Sequence, residues 1–166
     1  MIRGKFMTSM DDVSTCLALR GQVFPGARGE ADEYDRMAVY ALAINEENLP
    51  GGAGRLYIGD DSQFTIDRVG VLPEMRGQGL GDLLMRMLLY RALELNCAGV
   101  KLVSPVRLAG FFARYGLAAQ GEAFEEAGEV MYAARGQIDI EGSCSKGKKC
   151  AGCEGDCAAC EKKEGV

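Results

Sequence analysis

The chain has 166 residues, 48% hydrophobic and 26% charged, with a formal net charge of -5, a composition that fits one soluble globular domain with a real core and excludes the basic footprint of a nucleic-acid binder. Histidine is absent and cysteine numbers seven, which excludes His-based nucleophile pairs and His-ligated metals, and the odd total without an export signal argues against a secreted disulfide framework. No signal-peptide core and no stretch near the roughly 20 apolar residues of a membrane span occur, so a cytoplasmic protein with no membrane partner is expected.

In chain order, a short strand near Ile2 to Met7 leads to Ser9-Met10-Asp11-Asp12, read as a capping box, and to a first helix striped by Val13, Cys16, Leu17 and Val23. Residues 25–35 are rich in Pro, Gly and acids and predict a loop or short irregular helix that could face a substrate. Met37 to Ile44 and Arg55 to Ile58 read as two strands of a hairpin around the turn-rich residues 45–54. After a turn at residues 59–62 comes a strand from Phe64 to Leu72. The spacing of Leu80, Leu83, Leu84, Met87, Leu88 and Leu95 predicts an amphipathic helix. A strand at Val100 to Val103, a helix from Val106 to Tyr115 ended by Gly116, and a closing strand at Val130 to Ala134 complete the body. The fold class is α/β or α+β with a mixed sheet, over residues 1–140, followed by a cysteine-rich segment at residues 141–166.

The most informative stretch is Ile66 to Leu84: a strand, Pro73, then Arg76-Gly77-Gln78-Gly79-Leu80-Gly81, then directly the helix. Glycines between a strand end and a helix start bare backbone N–H groups at the positive end of the helix dipole, a site for phosphate, and Arg76 adds charge. The glycine spacing fits neither the dinucleotide fingerprint nor the Walker A loop.

What it resembles is the acyl-CoA signature of the GNAT superfamily: Val69-x-Val71-x-Pro73, then Arg76-x-x-Gly79-x-Gly81. The resemblance extends through Ala53-Gly54-Arg55-Leu56, Phe111-Phe112-Ala113-Arg114-Tyr115-Gly116-Leu117 and Gly121-Glu122-Ala123-Phe124. Leu19-Arg20, Val23-Phe24 and the acidic run to Asp35 are similar to the ElaA-type branch. This implies a GNAT fold, a central mixed, mostly antiparallel sheet flanked by helices and splayed between its fourth and fifth strands. It implies acetyl-CoA as co-substrate, its arm pairing to Val69, Gly70 and Val71, its phosphates near Arg76, Gly77, Gln78, Gly79, Leu80, Gly81 and Asp82. It further implies direct attack by a primary amine of a small molecule or peptide, with Arg20 and Asp35 on the acceptor side; ion pairing is the competing account of those two. The oligomeric state is open, a homodimer among the options.

Two departures bear on catalysis. The family's proton-donating tyrosine is replaced by Phe112, and the branch's histidine near the final strand by Met131. Tyr115, one helical turn beyond Phe112, is the candidate general acid, with simple packing as the other reading; Asp67 is the candidate base, with an arginine-paired strand carboxylate as the other. These departures motivate an alternative in which the chain is a non-catalytic acyl-CoA-binding regulatory module. The tail motivates another, a metal or redox carrier. Cys150, Cys153, Cys157 and Cys160 form two Cys-x2-Cys pairs, an all-sulfur ligand set suited to zinc, an iron–sulfur cluster or Cu(I), with Cys144 nearby; a redox pair and a disordered tail of reduced thiols are the competing readings.

Overall fold

The computed structural model describes residues 1–97 and 99–138. Chain order is β1 (Arg3–Met7), α1 (Ser14–Val23), two 3-10 turns (Gly26–Gly29 and Glu33–Arg36), β2 (Val39–Ile44), β3 (Pro50–Ile58), β4 (Phe64–Val71), α2 (Leu80–Glu94), β5 (Gly99–Pro105), α3 (Ala109–Ala113), β6 (Ala118–Glu126) and β7 (Glu129–Gln137). The described strands form one seven-stranded sheet, ordered β1-β2-β3-β4-β5-β7-β6. All neighbours run antiparallel except β4 and β5.

Strand alternation sends each sheet residue to one of two apolar layers. On one face Leu56, Ile66, Val69 and Val71 meet Leu84, Met85, Leu88 and Leu89 of α2, with Phe111, Phe112 and Tyr115 closing the layer. On the other, Tyr40, Leu42 and Leu72 meet Cys16 and Leu19 of α1. Each such buried aliphatic side chain contributes about 1.5–3 kcal/mol relative to exposure.

Four expectations are corrected. The capping box at Ser9 does not form: α1 starts at Ser14 with Val13 as its uncapped N-cap, while Asp11 accepts from the Thr8 N–H and Asp12 from the Ser14 N–H. β3 begins at Pro50, not Arg55, because Pro-Gly-Gly-Ala-Gly, which reads as a turn, is a strand pressed under α2. A Cβ at Gly52 would stand 3.1 Å from a Leu84 methyl and one at Gly54 3.0 Å from a Leu88 methyl, so glycine here serves close approach rather than turning. The expected helix from Val106 to Tyr115 is a 3-10 turn, Val106–Leu108, followed by the short α3. β6 was not expected as a strand at all; it is an exposed edge without apolar alternation, held by its pairing to β7.

The feature that positions the site is the β4–β5 junction. Only Thr65 with Lys101 and Ile66 with Leu102 are paired, and beyond them the two strands separate. A gap therefore opens beside Asp67 to Val71, at the end of β4 from which the chain turns into α2. A register shift between Ala53 and Arg55 places an extra residue in β4 at the gap's base, and Arg68 there has φ 51.

Candidate active site

The Leu72 N–H donates to the Gly51 carbonyl at 2.8 Å, toward β3. By strand alternation the N–H and C=O of Val71, and those of Val69, point the other way, into the gap. Arg76 Nε donates to the Val71 carbonyl at 3.0 Å, which ties the arginine to the strand end. The Val71 N–H remains a donor facing the gap, as a chain or carbonyl laid along it would need. At the gap's mouth Gly79 is the N-cap of α2 with φ 83, and Gly77 has φ 79. Both sit in the left-handed region where side chains are disfavoured. A Cβ at Gly79 would find only an Ile2 methyl within 4 Å, at 3.7 Å. Burial first, and then the nearby positive charge of Arg107, pushes the Arg76 pKa down; an anion at this mouth relieves that repulsion. Gln78 lies beside them in the loop, and Leu80 and Gly81 are buried in the first turn of α2.

Asp82 occupies the same first turn. One carboxylate oxygen accepts from the Tyr115 hydroxyl at 2.6 Å and the other from Arg86 Nε at 2.7 Å. Tyr115 is fully buried, its ring edge-on to Phe111. The nominated acid thus directs its hydroxyl at Asp82 in the first turn of α2.

Asp67, the nominated base, is 3% exposed. Arg55 grips it through Nε at 2.6 Å and Nη2 at 3.0 Å, and Tyr57 adds its hydroxyl at 3.3 Å. The geometry is that of an arginine-paired strand carboxylate.

Arg20 of α1 and Asp35 meet in a two-point pair of 2.8 and 2.7 Å, the arginine buried and the carboxylate half-buried. Asp35 also accepts from Arg55 at 2.9 Å, from the Tyr40 hydroxyl and from the Asp32 N–H at 2.7 Å. Asp32 takes both terminal nitrogens of Arg55, at 2.6 and 2.7 Å. Burial alone would raise the pKa of Asp35, but the hydrogen bonds from Arg20, Tyr40 and the Asp32 backbone outweigh it and hold the carboxyl below the usual range. Arg55, Asp32, Tyr40 and Tyr57 were not singled out from sequence as site residues. The available signal was the acidic run after α1, whose Asp32 and Asp35 lie three apart and face one arginine. Cys16 is no nucleophile candidate: burial pushes its thiol up to about 11.

The five tail cysteines, Cys144, Cys150, Cys153, Cys157 and Cys160, lie outside the described residues. Among the described residues no group of three or more His, Cys, Asp or Glu side chains could hold a metal, and no helix is long and apolar enough to cross a membrane.

Comparison with known proteins gives this geometry a family. The model of the acetyltransferase (GNAT) family matches residues 16–117. An acyl-CoA N-acyltransferase from Pseudomonas aeruginosa is 25% identical, with 81% of this chain and 99% of that one covered at a TM-score of 0.71. ElaA from Escherichia coli is 21% identical, covering 82% of this chain and 100% of its own at 0.72. BjaI, a CoA-dependent acyl-homoserine lactone synthase solved with SAM and isopentyl-CoA, is 18% identical, covering 86% of each chain at 0.68.

Proposed function

The chain belongs to the acetyltransferase (GNAT) family and is an acyl-CoA N-acyltransferase, and we propose that it transfers an acetyl group from acetyl-CoA to a primary amine of a small molecule or peptide. The observation that carries this reading is the joint placement of the Val71 N–H, facing the gap, and the Gly79 N-cap at its mouth. The first is a donor for the thioester carbonyl; the second, with Gly77 and Arg76, is a cradle for phosphates. In the reaction the amine lone pair forms a C–N bond at the carbonyl carbon, the C–S bond breaks, one proton leaves the nitrogen and one reaches the thiolate. Positioning and the polarising N–H supply most of the rate.

In this reading Asp67 and Tyr115 act through others. Asp67 fixes Arg55, and through it Asp32 and Asp35, on the acceptor wall beside Arg20; Tyr115 fixes Asp82 in the phosphate-cradling turn. The C-terminal Cys150, Cys153, Cys157 and Cys160 are proposed as a zinc or iron–sulfur site on their spacing alone, and elemental analysis of anaerobically purified protein decides it.

The test of the acyl-CoA reading is calorimetry with acetyl-CoA. Gly79→Glu puts a side chain and a negative charge where backbone N–H groups must meet phosphate, and is expected to abolish binding; Arg76→Ala is expected to weaken it at least about tenfold. Unchanged affinity in folded Gly79→Glu protein would overturn the assignment.

A further inference from the structure

On the β3 side of the phosphate-cradling loop, a cavity of about 700 Å³ opens between the β2–β3 turn at residues 45–49 and the 3-10 turn Pro73–Met75. Its apolar surface comes from Ile2, Leu49 and Met75, and three carboxylates, Glu46, Glu47 and Glu74, stand around it. No lysine or arginine is among its lining residues. Glu46 meets only the chain's own terminal ammonium, at 3.5 Å and with both groups exposed, and neither Glu47 nor Glu74 makes an ion pair among the described residues. Arg76 acts on Glu74 only through space, its Nε being spent on the Val71 carbonyl. The negative charge here is uncompensated, unlike that of the acceptor wall, where each carboxylate has its arginine.

A second feature of the same cavity is Asn45, in its wall and only 6% exposed. Its Oδ1 accepts from the Glu47 and Leu49 N–H groups at 3.0 and 2.9 Å. Backbone bonds from the Asn45 N–H to the Leu49 carbonyl and from the Asn48 N–H to the Asn45 carbonyl close the turn. The Nδ2 amide makes no hydrogen bond among the described residues. Because Oδ1 faces the turn's own backbone, Nδ2 of the same planar amide is directed away from it, to the cavity side. A donor so placed is satisfied by an acceptor oxygen. A bare metal ion answers neither feature. Among the described residues no three His, Cys, Asp or Glu side chains stand close enough to hold one, and a metal offers Nδ2 nothing to donate to. The cavity calls instead for positive charge spread over several carboxylates, on a small organic frame that also carries an oxygen.

We propose that this cavity binds a small organic dication, an amino alcohol with two ammonium groups and a hydroxyl, its charges facing Glu47 and Glu74 and its oxygen accepting from Asn45 Nδ2. The cavity lies on the β3 side of β4 and the gap on its β5 side, so the bound amine is an effector and not the acceptor. The two sites share one loop. Glu74, Met75 and Gln78 line the cavity, while Arg76, Gly77 and Gly79 form the cradle, and an Ile2 methyl of the cavity lies 3.7 Å from where a Gly79 Cβ would stand. Uncompensated carboxylates beside the cradle repel incoming phosphates, and a dication among them cancels that repulsion. Amine and acyl-CoA therefore bind with positive cooperativity, each raising the affinity of the other. The coupling rests on the acyl-CoA reading above; the dication site does not.

Calorimetry on the full chain tests the site with 1,3-diamino-2-propanol, compared with 1,3-diaminopropane at constant ionic strength. The amino alcohol is expected to bind saturably and at least about threefold more tightly than the diamine that lacks the hydroxyl. It should bind at least about tenfold more weakly to Glu47→Gln/Glu74→Gln, a change of two exposed side chains that leaves the core untouched. No saturable binding, equal affinity for the two amines, or undiminished binding to the double variant would each overturn the proposal. So would displacement of the amine by an equal concentration of magnesium chloride, the mark of an ion atmosphere instead of a site. In a second titration, saturating amino alcohol should tighten acetyl-CoA binding by about fivefold. The double variant, with two fewer negative charges, should bind acetyl-CoA more tightly than the parent without amine and gain nothing from it. Acetyl-CoA affinity unmoved by the amine would overturn the coupling and leave the acyltransferase reading standing; absence of acetyl-CoA binding would sink that reading and leave the first titration to judge the cavity.

Discussion

Tyr115 sits where a proton donor is wanted but directs its hydroxyl at Asp82, in the first turn of α2. If its task is to hold that carboxylate aside from incoming phosphate, together with Arg86, Tyr115→Phe should raise KM for acetyl-CoA by about three- to tenfold, the loss of one charge-assisted hydrogen bond, and leave kcat within about threefold. A kcat lower by tenfold or more at unchanged KM would restore the tyrosine to the role of general acid. Steady-state kinetics with acetyl-CoA as the varied substrate separates the two. The residue scale is also where the sequence was least legible. Gly77 and Gly79 announce themselves by spacing, and glycine takes their φ of 79 and 83 without steric cost. Arg55, by contrast, looks like any strand arginine until three carboxylates from two distant segments are folded around it. Arg68 gave no signal, since a bulge leaves no residue-type mark when its left-handed position is filled by arginine.

The segment between α1 and β2 shows how an element is held without a core. Its two 3-10 turns, Gly26–Gly29 and Glu33–Arg36, carry few apolar groups, and the second is closed by a capping box of Asp32 and Asp35. What fastens it to the sheet is charge: Arg20 and Arg55 to Asp35, Arg55 to Asp32, and Arg28 to Glu129 at 2.5 Å. The acidic run foretold a loop or short irregular helix here, but nothing local foretold its partners. A consequence in pH follows. Asp35 has a folded-state pKa below its unfolded value, so its contribution is present above the unfolded value, near 3.9, and is lost as pH falls through the folded one. Limited proteolysis by an acid-active protease should therefore find residues 25–37 protected at pH 5 and increasingly cut toward pH 2. Asp35→Asn should be cut more readily than the parent across the whole range, since it removes the titrating carboxylate and leaves Arg20 with the Glu30 carbonyl as its remaining partner and no counter-charge. Equal protection of the two proteins at pH 5 would show that the charge network is not what holds the segment.

At the scale of the whole molecule the sheet is two half-sheets, β1 to β4 and β5, β7, β6, joined by two residue pairs between β4 and β5. The separation follows from the sequence only through the resemblance: hydrophobic pattern fixes which face of a strand is buried, but not where two strands stop pairing. Open backbone groups along a strand edge invite pairing, and here they face a gap rather than another chain. A ligand laid along β4 would supply the missing ladder, accepting from the Val71 and Val69 N–H groups and joining the halves. Acetyl-CoA at one hundred times its dissociation constant should stabilise the protein by about 2.7 kcal/mol if it binds only the folded state. That much any ligand would do, so the location of the protection is the sharper test. Amide exchange at Val69 and Val71 should slow markedly when acetyl-CoA binds. Exchange at Leu72, whose N–H already donates to Gly51, should slow no more than the global stabilisation requires. Protection that rose equally at all three positions would mean that the ligand steadies the fold without lying along β4, and the Val71 N–H would lose its claim as the group that polarises the thioester.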